Sequence, residues 1–225
     1  FYGYTGNWIM QEAILATGAV DVFVADMNCS LPADAQYAER YKFKIVPVSQ
    51  LVAIEGVTER INYRAELAEK QAAQLLEMAL VNFKERHGKV EAVRGLPMNE
   101  AVVGFSPESI LAALGGTLTP LLDAIKSGAI RGVVGLVSCT TLRDHGQDVH
   151  TVRVAEELIK RDILVLSLGC GNAALQVAGL CSPDAVAKAG PGLQAVCKAL
   201  GTPPVLSFGT CTDTGRLADL IFAVS

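Results

Sequence analysis

Four of the six cysteines in this 225-residue chain stand in one kind of context. Cys29 follows the apolar run Val-Phe-Val-Ala, Cys139 follows Val-Val-Gly-Leu-Val-Ser, Cys170 follows Ile-Leu-Val-Leu-Ser-Leu-Gly, and Cys211 follows Val-Leu-Ser-Phe-Gly-Thr. Each run reads as a buried strand, which puts each thiol at a strand's carboxyl end. In open parallel sheets those ends gather along one edge, where ligands bind. Thiolates are the soft ligands that iron, nickel and zinc prefer, and a helix N-terminus favours the deprotonated form. Gly169, Gly171 and Gly209 flank Cys170 and Cys211 and let the backbone approach a bulky group closely. Ser138, Thr140, Thr141, Asn172, Thr210 and Thr212 add small donors that could bond to sulfur.

A lone cysteine in a strand is more often simple packing than a ligand. Four equivalent placements weaken that account, although no Cys-x-x-Cys pair is present. Cys181, in Leu-Cys-Ser-Pro, and Cys197, on an apolar helix stripe, read as core residues. The loop Thr140 to Thr151 carries Arg143, Asp144, His145, Asp148 and His150, which are either acid-base groups beside a site or a solvated loop with an aspartate capping the next helix. His87, ending an exposed helix, reads as surface. Gly169-Cys170-Gly171-Asn172-Ala173-Ala174 also fits a dinucleotide fingerprint, which calls for an acid ending the next strand about twenty residues on. The next strand ends in Ser207-Phe208-Gly209-Thr210, so NAD binding is disfavoured.

Five strands must position these thiols: Val20 to Asp26, Phe43 to Val48, Ile130 to Val137, Asp162 to Leu168 and Pro204 to Phe208. Helical stretches alternate with them at Arg64 to Arg86, Pro107 to Leu114, Leu118 to Ser127, Val149 to Lys160, Ala173 to Gly179 and Leu193 to Leu200. In the first, Leu67, Ala72, Leu75, Leu76, Met78, Ala79 and Phe83 form an apolar stripe. The alternation predicts an α/β fold of two doubly wound, Rossmann-like parallel-sheet units. Between Lys89 and Pro107 the helical period gives way to Gly and Pro, which predicts a boundary near residue 100 and units 1–100 and 101–225.

Apolar residues make up 51% and charged ones 19%, a balance that excludes disorder. The formal charge of −4 has no basic concentration, which argues against nucleic acid. No apolar run reaches the ~18 residues of a membrane span. Cysteines without disulfide-like spacing fit a reducing compartment, the cytoplasm. Phe1-Tyr2-Gly3 offers neither Met nor a basic leader, so the sequence reads as part of something longer.

The blocks VSCTTLRDHGQDVHT, LSLGCGNAALQVAGLCSP and PPVLSFGTCTDTGRLADL, with QEAILATGAVDVFVADMNCSLP upstream, resemble the anaerobic nickel-iron carbon monoxide dehydrogenase catalytic subunit. The resemblance spans the chain, whose two units would be the later part of a middle domain and most of a C-terminal one. It implies a nickel-iron-sulfur cluster, with Cys29, Cys139 and Cys170 on the iron-sulfur portion and Cys211 on nickel. It also implies oxidation of CO with water to CO2, two protons and two electrons, with His145 or His150 as proton relays. The same resemblance implies a homodimer and a ferredoxin-type electron acceptor. The family's remaining histidine and cysteine ligands would lie upstream and a lysine downstream, so the segment alone is expected to be inactive. Two alternatives are a hybrid-cluster, prismane-type iron-sulfur protein and a metal-free α/β remnant with a structural role.

Overall fold

The computed structural model describes residues 8–95, 100–139, 146 and 148–224. They fall into two compact units, one within Ile9–Leu96 and the other within Pro97–Ser225 together with Trp8.

The first unit begins with α1 (Gln11–Leu15), then β1 (Val22–Ala25), α2 (Asp34–Tyr41), β2 (Lys44–Pro47) and the long α3 (Ala68–Arg86). β1 and β2 pair in parallel, Val22 opposite Lys44 and Ala25 opposite Pro47, with α2 as the crossover that parallel pairing requires. Leu15, Ala25, Phe43, Ile45, Val52 and Ile54 form its core. The apolar stripe expected on α3 is only partly used, because Leu76 and Phe83 are exposed together with Leu80. Two polar side chains anchor that helix instead. Asn82 donates its amide to the Asp21 and Lys42 carbonyls at 2.8 and 2.9 Å. Arg86, nearly buried, places Nε 2.5 Å from Asp21 Oδ1. His87 is exposed, as expected.

The second unit runs α4 (Pro107–Ala113), α5 (Thr119–Lys126), β3 (Gly132–Val137), α6 (Val149–Lys160), β4 (Ile163–Leu168), α7 (Gly169–Val177), α8 (Pro191–Leu200), β5 (Val205–Gly209) and α9 (Thr214–Val224), with 3-10 turns at Pro183–Lys188 and Cys211–Asp213. The sheet is parallel in the order β3-β4-β5. Helices cover both faces. Gly135 lies under Leu217 and Ile221 of α9, whereas Ser167 and Ser207, on the opposite face, meet Asn172 and Gln176 of α7. Val165, Leu168, Leu175, Leu180, Leu193 and Val205 lie at the centre of the core with essentially no exposure. Burial of each such aliphatic side chain contributes roughly 1.5–3 kcal/mol.

The α/β, parallel-strand expectation therefore holds, and all five strands lie where the sequence put them. Three helix starts need correction, since α3 begins at Ala68 instead of Arg64 and α8 at Pro191 instead of Leu193. The helix expected from Ala173 begins at Gly169, so Cys170, two residues past the end of β4, also sits in the first turn of α7. Among the described residues no helix is long and apolar enough to cross a membrane.

Candidate metal centre

Three of the four strand-end cysteines belong to the second unit, and all three sit at the carboxyl edge of its sheet. Cys139 is two residues beyond β3, Cys170 is the second residue of α7 and two beyond β4, and Cys211 opens the 3-10 turn two residues beyond β5. The backbone draws these loops together. The Gly171 amide donates to the Ser138 carbonyl at 2.9 Å, joining the loop of Cys170 to that of Cys139. Gly169 adopts φ +70°, a left-handed conformation that favours glycine. A Cβ placed on it would lie 3.4 Å from both the Cys211 Cβ and the Ser138 carbonyl oxygen, so all three loops meet at this residue. Gly171 is pressed harder still, since a Cβ there would stand 2.1 Å from Ser138 Oγ. Ser138 Oγ in turn lies 3.3 Å from Thr151 Oγ1 in the first turn of α6.

β5 carries an irregularity just before Cys211. Ser167 pairs with Ser207, but Leu168 pairs with Gly209, so Phe208 is an extra residue in a β-bulge. Bulges redirect the chain beyond them and recur beside functional sites. Past this one, Thr210 and Asp213 close a capping box around Cys211, the Thr210 and Thr212 hydroxyls bond to each other, and Thr214 Oγ1 donates to the Cys211 carbonyl at 2.7 Å.

Cys29 lies in the first unit, four residues beyond β1, and has φ +60°. For a residue with a Cβ that conformation costs roughly 1–2 kcal/mol, and such strain concentrates where function demands it. Its loop is tied down on several sides. Gln11 Nε2 donates to the Cys29 carbonyl at 2.7 Å, Ser30 Oγ to the Asp26 carbonyl at 2.8 Å, and the Leu31 amide to Asp34 Oδ2 at 2.8 Å. Asp34 is fully buried, and its other oxygen has no partner among the described residues. Burial, with a contribution from the nearby Glu12 carboxylate, pushes its carboxyl above the ordinary range.

The remaining cysteines differ in kind. Cys29, Cys139 and Cys211 are exposed and Cys170 is half-buried, whereas Cys181 and Cys197 are 0% and 1% exposed and belong to the apolar core. Desolvation pushes the Cys181 thiol up to about 12 and the Cys197 thiol up to about 11, which keeps both neutral and unsuited to metal. An apolar cavity of about 500 Å³ lies between the sheet and α4, α5 and α8, lined by Ile110, Leu121, Val133, Leu166 and Leu206 among others. None of the four candidate cysteines lines it, so the thiol edge and the cavity are separate features.

Among the described residues no group of three or more His, Cys, Asp or Glu side chains is gathered tightly enough to hold a single metal ion. A mononuclear site needs every sulfur about 2.3 Å from one centre. A polynuclear iron-sulfur cluster puts each thiolate on a different metal, so its ligands stand farther apart. Three accessible thiols on one converging edge are soft donors of the kind that iron-sulfur and nickel centres take.

Two expectations need revision. Asn172 does not turn its amide toward sulfur. It is 1% exposed and bonds instead to Ser167, Ser207 and Gly209. Asp148 occupies the N-cap position of α6 with φ +61°, but its side chain makes no capping bond. His150 is exposed in the first turn of α6, next to the Thr151 that meets Ser138. His145, Thr140 and Thr141 lie outside the described residues.

The whole chain, residues 1–225, matches the Prismane/CO dehydrogenase family, and the chain belongs to that family. It is 70% identical over its full length to carbon monoxide dehydrogenase 2 of Methanosarcina mazei, and 62% identical over 98% of its length to carbon monoxide dehydrogenase of Archaeoglobus fulgidus. It covers 36% and 35% of those relatives, so it spans about a third of their length. Among solved structures, it superposes on nickel-free carbon monoxide dehydrogenase from Thermococcus sp. AM4 with TM-score 0.80 at 39% identity, covering 94% of this chain and 33% of that one. A second match has TM-score 0.82 at 30% identity over 96% of this chain and 34% of the other. It is an acetyl-CoA synthase/carbon monoxide dehydrogenase described with NiZn[Fe4S4] and NiNi[Fe4S4] clusters.

Proposed function

We propose that this chain is the part of a nickel-iron-sulfur carbon monoxide dehydrogenase that carries four cysteine ligands of the site where CO and water become CO2, two protons and two electrons. Cys29, Cys139 and Cys170 hold the iron-sulfur portion, and Cys211 holds nickel. The observation that carries this reading is the meeting of the loops after β3, β4 and β5 at Gly169, which sets three accessible thiols on one edge. The strained backbone of Cys29 supports the fourth assignment.

The bound group supplies Lewis acidity toward water, soft binding of carbon and storage of two electrons. The chain's own residues supply the rest. Thiolates hold the group rigidly because their loops are fixed by Gly171 to Ser138 and by the capping box around Cys211. Exposed His150, on the helix that abuts the Cys139 loop, carries protons between the edge and solvent, with His145 as the second candidate. The buried apolar layer beneath the edge keeps solvent out from below. The domain reading is a middle-domain portion at 1–100 and a C-terminal portion at 101–225. The working protein is taken to be a cytoplasmic homodimer that passes electrons to a ferredoxin-type acceptor, and this segment is inactive alone.

Replacing Cys211 by Ala in the full-length protein is expected to abolish nickel retention and CO oxidation while the fold persists. Normal nickel content in that variant refutes the assignment.

A further inference from the structure

Asn172 lies in the first turn of α7, two residues after Cys170, and is buried to 1% exposure. Its side chain reaches across the sheet to both sides of the bulge in β5. The amide nitrogen lies 3.0 Å from Ser207 Oγ, before the extra residue Phe208, and 3.2 Å from the Gly209 carbonyl after it. Its carbonyl oxygen accepts from Ser167 Oγ of β4 at 2.8 Å. Gln176, one turn further along α7, donates to the same Ser207 hydroxyl at 2.9 Å. Of the two amides, only that of Asn172 reaches Gly209, two residues short of Cys211.

We infer that Asn172 is a positioning residue that fixes Cys170 relative to Cys211. A bulge frees one residue from the ladder, so without a clamp the strand can relax and swing the segment beyond it. The Asn172 amide grips the bulge on both flanks, and its backbone is in the same helical turn as Cys170. One rigid side chain thereby sets the distance and orientation between two thiols that lie 41 positions apart in the chain. A core packing role alone does not call for this arrangement, since an apolar residue would fill the same space without the desolvation of an amide. Groups that orient metal ligands typically alter metal affinity by 10–100-fold when removed.

The inference rests on Cys170 and Cys211 being ligands, and the test separates the two ideas. In the full-length, metal-loaded protein, four variants are compared by nickel content, by the electron paramagnetic resonance spectrum of the reduced site and by thermal midpoint. They are Asn172→Ala, Asn172→Asp, Ser167→Ala and Cys211→Ala. Asn172→Ala is expected to lower nickel about tenfold and to change the spectrum. Ser167→Ala, which removes a buried partner of Asn172 but leaves its grip on β5, is expected to keep both at the parent's values despite a lower midpoint. Full nickel in Cys211→Ala overturns the ligand reading, and this inference with it. If Cys211→Ala loses nickel while Asn172→Ala keeps nickel and spectrum, the positioning role alone is overturned. Loss of nickel in step with the thermal midpoint across the Asn172 and Ser167 variants overturns it equally. Asn172→Asp, equal in shape, is read by the same criteria if the alanine variant does not fold. Failure of both to fold places Asn172 in the scaffold only and overturns the inference.

Discussion

The Gly171 amide donates to the Ser138 carbonyl at 2.9 Å, and the space where a Gly171 side chain would stand is filled by Ser138 Oγ. Two thiol-bearing loops are therefore held at backbone contact distance. Gly171→Ala is expected to force Ser138 aside against Thr151, whose methyl would lie 3.2 Å from the new carbon. Overpacking of this kind costs about 1–3 kcal/mol. Denaturant titration should show that loss, and adding Ser138→Gly should recover part of it. Equal stability of Gly171→Ala and parent would count against close apposition.

Cys29 separates strain from chemistry. Cys29→Gly relieves a left-handed backbone by about 1–2 kcal/mol and adds unfolded-chain entropy of roughly 0.5–1 kcal/mol. Its stability should match or slightly exceed the parent's in thermal melts, while nickel and iron in the full-length protein fall. A variant that melts lower yet keeps its metal would contradict both halves of this expectation.

Asp34 makes stability depend on pH in a definite direction. Its folded carboxyl titrates above the ordinary 3.8, so the fold is unpenalised below that value and loses stability as pH rises through the folded pKa. Asp34→Asn keeps an acceptor for the Leu31 amide and removes the buried charge. The variant should be more stable than the parent at neutral pH, with the advantage vanishing in acid. Urea titrations at both ends of that range decide it, and a constant difference would sink the argument.

The sealed thiols act at the other end of the scale. Cys181 and Cys197 titrate near 12 and 11 when folded, against 9.0 when free. Both stay protonated in the fold after the unfolded chain has released its protons. Their contribution is complete below about pH 9 and declines as pH rises toward 11 to 12, by at most about 1.4 kcal/mol per pH unit for each thiol. Cys181→Ala and Cys197→Ala together should flatten the alkaline fall in stability. Alkylation rates should show both thiols reacting only on unfolding, well behind Cys139 and Cys211.

The strands were readable because Val, Ile and Leu runs buried on both faces leave little ambiguity. The thiol edge came from them directly. Less visible was the start of α7, because Gly-Cys-Gly is a poor helix former and what rewards a helix there is tertiary, the Gly171 contact with Ser138 and the Asn172 bonds to β4 and β5. α1 escaped because it is short, and α2 (Asp34–Tyr41) because polar residues dominate it. On α3, counting apolar positions favoured Leu76 and Phe83, whereas Asn82 and Arg86 make the attachment. A hydrophobic period carries no record of hydrogen-bonding partners. The role of Asn172 was hidden likewise, since a bulge leaves no residue signature in β5 and the amide's partners lie 35 and 37 positions away.

Phe208 makes β5 intolerant of a change in length. Deleting that one residue would restore a regular ladder with Gly209 still opposite Leu168, and would remove the bend and added twist that the bulge gives the chain running on to Cys211. Cys211 would then leave the strand in a different direction with its own loop intact. Evolutionary gains and losses of sequence in this unit should accordingly accumulate between α7 and α8, where no strand phase is at stake, and spare the five residues of β5.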